Sequence, residues 1–186
     1  MPEVLIVAAT ERELDGRDGL ACGIGPVEAA AATARALALH EWSAVLHIGV
    51  AGGHGFVPGT LVIGAEARYC DLSAAIALVS HVPADLRLVE AARAVLPDAP
   101  ILPIGTSAAV GGAGPDVRVE AMEGFGVLRA AALAGVPAIE VRAISNEIGE
   151  RDREGWNIDE AIAALSQAVS GLVDAIGEAI NEAAQG

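Results

Sequence analysis

Short apolar runs alternate with segments of helical periodicity along most of this chain, which is typical of an α/β protein. The runs that predict buried strands lie at 4–9, 44–48, 61–69, 101–104, 119–122 and 138–144, with 74–80 as a further candidate. Helical patterns cover 26–40, 84–96, 125–134 and 157–184, and Gly171 marks a candidate interruption of the last helix. The pattern therefore predicts helices layered on a sheet.

Two of these predicted strands end in polar residues and are joined by a helix. Glu123 closes the strand 119–122, and Asn146 follows the strand 138–144. The helix between them ends at Gly135, and glycine is common directly after the last residue of a helix. A strand, helix and strand at this spacing predict a right-handed parallel crossover. Because ligands of open α/β sheets bind outside the carboxyl ends of the strands, we expect Glu123 and Asn146 to face one pocket.

The composition predicts a single domain, residues 1–186, with an aliphatic core. Hydrophobic residues make up 53% of the chain but aromatic residues only 3%, so the core consists mainly of Ala, Val, Leu and Ile. Every apolar run is broken before it reaches the ~20 residues of a membrane span. The start, Met1-Pro2-Glu3, has no basic region of the kind that opens a secretory signal. We therefore expect a cytoplasmic protein with no membrane partner.

Charge and metal-ligand spacing narrow the possible partners. The net charge of −14 and the lack of clustered Lys and Arg argue against nucleic-acid binding. Cys22 and Cys70 lack metal-ligand spacing and are expected to be buried, reduced thiols. The four histidines show no ligand spacing either, so we expect no metal. A small molecule or a protein partner remains.

Two glycine-rich segments bear on nucleotide binding. The segment Gly23-Ile24-Gly25-Pro26 lacks the third glycine of a dinucleotide fingerprint, and the chain has no Gly-Lys-Ser/Thr element. We therefore expect no nucleotide cofactor. The segment 49–53 follows a buried strand and is interpreted as a loop, either a tight turn or a place where backbone approaches a ligand closely.

Glu13 follows the first predicted strand and has two interpretations. Thr10 and Glu13 have the spacing of a capping box, in which Glu13 would bond the Thr10 amide. Alternatively, Glu13 is a carboxylate at the end of the strand that activates water. A carboxylate fully engaged as a cap would be a poor base.

The other candidate residues also have structural alternatives. Glu123 is either an acid in the first turn of a helix or an acceptor for a pair of ribose hydroxyls. Asn146 is either a turn residue or an amide that contacts the edge of a heterocycle. Arg151 and Arg153 are either part of a solvated loop or a clamp for a substrate carboxylate.

Three motifs together resemble the nucleoside phosphorylase/nucleosidase superfamily. They are Gly49-Val50-Ala51-Gly52-Gly53, Met122-Glu123-Gly124 and Arg142-Ala143-Ile144-Ser145, in the order of that superfamily. Within it, residues 120–127, Ser145-Asn146 and Arg151-Asp152-Arg153 with Trp156 are most similar to the futalosine hydrolase family. The methylthioadenosine/S-adenosylhomocysteine nucleosidases instead carry Asp where this chain has Asn146. The resemblance implies a three-layer α/β fold with a central mixed, mostly parallel sheet flanked by helices.

The resemblance also implies a reaction, hydrolysis of futalosine to release hypoxanthine in the futalosine route to menaquinone. Glu13 matches the carboxylate that activates water, and Met122 lies against the sugar whose 2′ and 3′ hydroxyls Glu123 holds. Asn146 matches the residue beside the departing base. No cofactor is implied, and the protein is expected to be a homo-oligomer, a dimer or larger.

Further substrate contacts follow from the same resemblance. Val50-Ala51-Gly52 would line the sugar and base side of the pocket, and Ala108 and Ala109 lie in the segment that contacts the purine. Arg151 and Arg153 are candidates to meet the carboxylate beyond the ribose. The segments 106–117 and 70–81 are shorter than the family's usual connections, so we expect a more open pocket.

Three alternative functions remain. A methylthioadenosine-type nucleosidase would release adenine, and a purine nucleoside phosphorylase would depend on inorganic phosphate. A non-catalytic nucleoside-binding protein would bind without turnover. Hydrolysis is favoured over phosphorolysis because Val50 stands where a phosphorylase-like serine would be and no arginine set for phosphate is evident.

Overall fold

A computed structural model describes residues 2–72 and 76–185 of the chain as an α/β protein. The strands are β1 (Val4–Ala8), β2 (Leu20–Ala21), β3 (Ala44–Gly53), β4 (Leu61–Tyr69), β5 (His81–Pro83), β6 (Ile101–Thr106), β7 (Val119–Ala121) and β8 (Ala138–Asn146). The helices are α1 (Glu11–Leu14), α2 (Pro26–Leu39), α3 (Leu86–Val95), α4 (Gly124–Ala134) and α5 (Ile158–Gln185), with a short 3₁₀ turn at Arg153–Gly155. Over these described ranges, no helix combines the length and apolarity needed to cross a membrane.

The sheet is mixed, and part of it closes on itself around β3. On one side, β3 pairs in parallel with β8, which pairs antiparallel with β4. On the other side, β3 pairs antiparallel with β7, which pairs in parallel with β6. Because β6 also pairs with β4, these five strands form a closed ring. The strands β1 and β2 extend the sheet from the free length of β3, and β5 extends it from β4.

Helices cover both faces of this sheet, giving the three layers that the resemblance implied. One apolar cluster joins the sheet to α3 and α5, through residues such as Leu46, Leu88 and Leu172. A second joins it to α2 and α4. A third cluster takes its residues from all five strands of the ring and so fills the interior of the ring; its buried members are Ala51, Val62, Ile104, Val119, Ala121 and Ile144.

Local sequence signals determine where helices α2 and α4 begin and end. Pro26 occupies the first turn of α2, where its fixed φ fits and its missing N–H costs nothing. Gly135 ends α4 in a left-handed conformation with φ of 72°, and its N–H bonds back to the last turn. Both of these helix ends lie within one residue of the ends predicted from the sequence.

Four sequence predictions about the fold were wrong. The segment 49–53 is not a loop but the second half of β3, because β8 and β7 pair with it on both sides. The strands β7 and β8 are not a parallel crossover pair: they flank β3 and run in opposite directions relative to it. Helix α5 continues through Gly171 without interruption.

The fourth error concerns the candidate strand at 74–80. Residues 74 and 75 lie outside the described part of the chain, and 76–80 do not form a strand. The strand in this region is instead β5, at His81–Pro83, which pairs with the end of β4.

Two glycine-to-alanine substitutions in helices should have opposite effects on stability. A Cβ at Gly126 of α4 would lie 2.5 Å from the Pro26 carbonyl oxygen of α2, whereas a Cβ at Gly177 of α5 would meet no atom within 4 Å. Gly126→Ala should therefore cost about 1–3 kcal/mol by overpacking. Gly177→Ala should stabilise by up to about 1 kcal/mol through helix propensity.

Denaturant unfolding of the two variants beside the wild type measures both effects. Stabilisation by Gly126→Ala would contradict the close packing of α2 on α4.

Candidate active site

Glu13 forms the predicted capping box and still reaches the centre of the sheet. Its Oε2 accepts hydrogen bonds from the Thr10 N–H (3.0 Å) and hydroxyl (2.8 Å), and its own N–H donates to Thr10 Oγ1 (3.3 Å). Its Oε1 accepts from the Val50 N–H of β3 (3.0 Å). A carboxylate offers about four lone-pair sites, so these three bonds leave one on Oε1. Glu13 is thus both a cap and an acceptor with one free position, fixed in orientation.

Glu123 occupies the N-cap position of α4, but its side chain does not cap the helix. Its Oε1 accepts from the Gly25 N–H (3.0 Å), and its Oε2 lies 3.4 Å from Nη2 of Arg142. The hydroxyl of Thr106 accepts from the Phe125 N–H at the start of the helix instead (2.8 Å). The carboxylate of Glu123 therefore points across the sheet and is almost completely buried, with 5% of the residue exposed.

Arg142, on β8, is completely buried and lies between the two site carboxylates. Its Nη1 is 3.4 Å from the carbonyl oxygen of Val50, whose N–H holds Glu13. Its Nε donates to Glu140 Oε1 at 2.7 Å. Burial alone would lower the pKa of Arg142, but the charges of Glu140, Glu123 and Glu13 raise that pKa above its usual value. The guanidinium therefore stays charged.

His47 and Glu140 complete this buried cluster. Neither was a candidate residue in the sequence, and Arg142 entered only as part of a family motif without a role of its own. Burial, with a contribution from the Arg142 charge, lowers the pKa of His47 well below its usual value, so the ring is neutral. Burial raises the pKa of Glu140, against the opposing effect of Arg142. The signal was present: two charged residues, Glu140 and Arg142, alternate within the otherwise apolar run 138–144, and buried charges need partners.

Asn146 lies at the end of β8, beside Gly52 of β3. A Cβ at Gly52 would be 3.3 Å from the amide nitrogen of Asn146. That nitrogen donates to the Glu147 carbonyl (2.9 Å), and Oδ1 accepts from the Ser145 hydroxyl (2.7 Å). The carbonyl contact fixes the orientation of the amide, because a carbonyl can only accept. One N–H of the amide stays free to donate.

The β3 segment Val50-Ala51-Gly52 connects the carboxylate cluster to Asn146. Glu13 and Arg142 lie next to Gly49, where a Cβ would overlap their side chains. Gly49 and Gly52 are separated by about 10 Å along the strand. A register shift between Ala51 and Gly52 marks a bulge, a feature that re-aims side chains next to active sites. Met122, half-buried, follows β7 directly before Glu123.

The other predicted contact residues lie away from the carboxylates. Ala108 and Ala109 are exposed in the loop after β6. Arg151 and Arg153 are exposed in the segment after β8, where Arg153 stacks over Trp156 at 5.7 Å from the ring centre. The two loops meet, because a Cβ at Gly111 would lie 3.2 Å from the Cα of Gly149. Both loops therefore border the Asn146 end of the site.

The described residues form no metal cluster at this site, and a cavity of the protein lies elsewhere on the sheet. In the ranges 2–72 and 76–185, no three His, Cys, Asp or Glu side chains are grouped to hold a metal ion. A cavity of about 500 Å³ lies instead at the ends of β4 and β5 and is lined by residues such as Arg68, Tyr69 and His81. Tyr69 stacks on Phe125 at 5.1 Å between ring centres.

Comparison with known proteins identifies the family. The family model of the phosphorylase superfamily matches residues 19–121. The chain is 39% identical to the futalosine hydrolase of Streptomyces coelicolor, over 85% of this chain and 79% of the relative. It is 33% identical to the futalosine hydrolase of Acidothermus cellulolyticus, over 89% and 78%. The chain belongs to the futalosine hydrolase family of the phosphorylase superfamily.

Solved structures support the same fold for this futalosine hydrolase family member. A methylthioadenosine/S-adenosylhomocysteine nucleosidase from Colwellia psychrerythraea, in complex with adenine, matches with a TM-score of 0.83 at 21% identity, covering 94% of this chain and 96% of that one. A futalosine hydrolase mutant of Helicobacter pylori matches with a TM-score of 0.83 at 16% identity, covering 94% and 99%. At these identities the likeness shows the three-layer fold alone.

The family relatives carry residues that this chain lacks. Their alignments extend over 188 and 192 residues, more than the 186 of this chain, although they cover only 85% and 89% of it. The relatives therefore have residues inside the aligned region with no counterpart here. That the missing residues lie in segments 70–81 and 106–117 stays a prediction.

The loop between β6 and β7 is nevertheless held from both sides by carboxylates. Glu120 accepts from the N–H groups of Gly111 (2.5 Å) and Ala113 (2.6 Å). At the other end of the loop, Asp71 accepts from the Ser107 hydroxyl (2.9 Å) and the Ala108 N–H (2.7 Å). Hydrogen bonds to charged acceptors are about twice as strong as neutral ones. Two such clamps give the short loop a fixed position.

Glu120→Gln should loosen this loop. A carboxamide has one accepting oxygen, so it would present an N–H₂ group to one of the two loop amides. A hydrogen bond to a charged group is worth about 1.5–3 kcal/mol, which corresponds to roughly 10- to 100-fold faster amide exchange. Hydrogen exchange followed by NMR at Gly111 and Ala113 measures this, with the exposed helix substitution Glu90→Gln as control. Unchanged exchange at both amides would contradict the clamp.

Proposed function

We propose that this protein hydrolyses the N-glycosidic bond of futalosine and releases hypoxanthine and dehypoxanthine futalosine. Two relatives named futalosine hydrolase align over most of the chain, which supports this substrate. The observation that carries the reaction is the arrangement of two fixed carboxylates, Glu13 and Glu123, on either side of Arg142. The 186 residues act as one nucleosidase domain.

The ribose would be held at the carboxylate end of the site. A carboxylate accepts two hydrogen bonds side by side, which matches the paired 2′ and 3′ hydroxyls of a ribose. Glu123 is fixed by Gly25 and Arg142 and retains free lone pairs on its two oxygens. Met122, directly before it, would pack against the sugar. This grip operates in both the ground state and the transition state.

Glu13 would position and activate the attacking water. The remaining lone pair on its Oε1 accepts one water hydrogen, and the Thr10 and Val50 bonds hold the carboxylate still. N-glycosidic cleavage passes through an oxocarbenium-like state, as in glycoside hydrolysis. The water oxygen bonds to C1′ as the bond from C1′ to the base breaks, and the departing base keeps that electron pair. Overall, hydroxide is added to C1′ and a proton to the base.

The purine would lie at the Asn146 end, about 10 Å along β3 from Gly49. A carboxamide supplies a hydrogen bond but no carboxylic proton, so it suits hypoxanthine, whose lactam tolerates departure as an anion or tautomer. The free N–H of Asn146 can donate to O6 or to N7, which are both acceptors in a 6-oxopurine. Val50, Ala51 and Gly52 would flank the ligand between the two ends. The loop carrying Ala108 and Ala109 would close the purine side.

The far end of the substrate, the oligomeric state and the cellular location complete the proposal. Arg151 and Arg153 are exposed beside the Asn146 end, where the purine is placed, so we do not assign them to the carboxylate beyond the ribose. A homo-oligomer is expected, and cytoplasmic location accords with the futalosine route. A methylthioadenosine-type nucleoside is the alternative substrate.

Glu13→Gln should abolish most turnover while leaving futalosine affinity near that of the wild type. Loss of the general base costs about 10²–10⁴-fold. Glu11→Gln, an exposed position in the same short helix, serves as the matched control and should retain activity. Hypoxanthine release in phosphate-free buffer gives the rates, and calorimetric titration with futalosine gives the affinities. A near-normal rate for Glu13→Gln would remove this residue from the mechanism.

Asn146→Asp should shift the preference from 6-oxopurines towards 6-aminopurines. A carboxylate repels O6 but accepts from a 6-amino group. The ratio of adenine release from methylthioadenosine to hypoxanthine release from futalosine should rise by about tenfold or more, the worth of one hydrogen bond to a charged group. Asn157→Asp, at an exposed position, is the control. An unchanged ratio would show that Asn146 does not select the base.

A further inference from the structure

Two completely buried side chains, Glu140 and His47, bind the guanidinium of Arg142. Glu140 Oε1 accepts from its Nε at 2.7 Å, and His47 Nε2 contacts its Nη2. Both partners have no exposed surface. No part of the proposed reaction uses either residue directly.

The proton on His47 can be placed from its other contact. Nδ1 lies 3.0 Å from the carbonyl oxygen of Val7 in β1, and a carbonyl can only accept. Nδ1 therefore carries the hydrogen, and Nε2 of the neutral ring is a bare acceptor directed at Arg142. The histidine thus joins β1 to Arg142 with one donor and one acceptor.

The two terminal nitrogens of the same guanidinium also contact Glu123 and the backbone of Val50. Nη2 lies 3.4 Å from Glu123 Oε2, and Nη1 lies 3.4 Å from the Val50 carbonyl oxygen. The Val50 N–H in turn holds Glu13 at 3.0 Å. These forward contacts are longer than the contact to Glu140, so they cannot by themselves fix the orientation of the guanidinium.

We propose that His47 and Glu140 are positioning residues for the reaction, which lock Arg142 so that it holds Glu123 and Val50 in register. The inference rests on the hydrolase activity proposed above. It also assigns a role to two residues outside the ligand pocket.

The second oxygen of Glu140 argues for this role over a purely structural one. Oε2 is buried with no hydrogen-bond partner and lies against Gly124. An incompletely satisfied buried ionic cluster is weak evidence for stability, because well-packed apolar residues often serve as well. Departures from good packing of this kind are expected at functional sites.

Two substitutions of His47 separate positioning from packing. In His47→Gln, the amide oxygen can replace Nε2 as the acceptor for Arg142, and the Val7 contact is lost. In His47→Asn, the amide nitrogen can replace Nδ1 as the donor to Val7, and the Arg142 contact is lost. Each variant removes one buried hydrogen bond, so thermal unfolding should detect similar losses in both.

The kinetics should differ between these two variants. For hypoxanthine release, kcat/KM of His47→Asn should fall roughly 10- to 100-fold below that of His47→Gln, because small misplacements of reacting groups have effects of this size. Equal kcat/KM in the two variants, or losses that follow only their unfolding temperatures, would overturn the proposal.

Glu140 provides an independent pair of variants. Glu140→Gln keeps an oxygen for Arg142 Nε, whereas Glu140→Met has similar length and no such acceptor. The Gln variant should retain a higher kcat and tighter futalosine binding than the Met variant. Equal values in folded protein would overturn the role of Glu140.

Failure of the proposed function would be recognised separately. A wild-type protein that releases no base from futalosine would contradict the hydrolase. Calorimetric affinity for futalosine across the same variants would then decide the positioning role, since Glu123 holds the ribose in the ground state as well. Weaker binding by His47→Asn than by His47→Gln supports it, and equal or absent binding in wild type and variants overturns it.

Discussion

The need to satisfy one buried cation organises this structure. Arg142 is completely buried in the middle of β8, and a charge in such a place requires several well-placed acceptors. They come from different parts of the chain: Glu140 from the same strand, His47 and the Val50 carbonyl from β3, and Glu123 from the start of α4. The cation thereby ties together the segments that carry the proposed chemistry.

Closure of the sheet brings these segments within reach of one another. Here β7 and β8 flank β3 on opposite sides, so Glu123 and Arg142 approach across the end of the ring. The short loop after β6 is fixed in a similar way, because the carboxylates of Glu120 and Asp71 accept hydrogen bonds from its backbone N–H groups. In both places, carboxylates hold backbone segments in position. A longer chain could hold the same segments with additional helices or loops.

Local signals in the sequence predicted most elements and the family, since each depends on a few adjacent residues. Pro26 and Gly135 mark helix ends, and the Thr10–Glu13 spacing gave the capping box. The path of the sheet was not predictable in this way. The glycines at 49–53 have the composition of a loop, and only pairing with two distant strands makes them a strand.

The same limit applies to the candidate site. Glu13, Glu123 and Asn146 could be selected because each follows an apolar run, and the resemblance gave them roles. The cluster around Arg142 depends on long-range contacts, including one from His47 across 95 positions of the chain. The sign of this cluster in the local sequence is the pair of charged residues inside β8. Their spacing alone did not link them to the site.

The most direct test of the central claim is release of free base by the wild-type protein in phosphate-free buffer, with futalosine, inosine and methylthioadenosine compared side by side. Our account predicts hypoxanthine from futalosine without phosphate, and little base from the other two nucleosides. Release that requires phosphate, faster adenine release from methylthioadenosine, or futalosine binding without any release would contradict it.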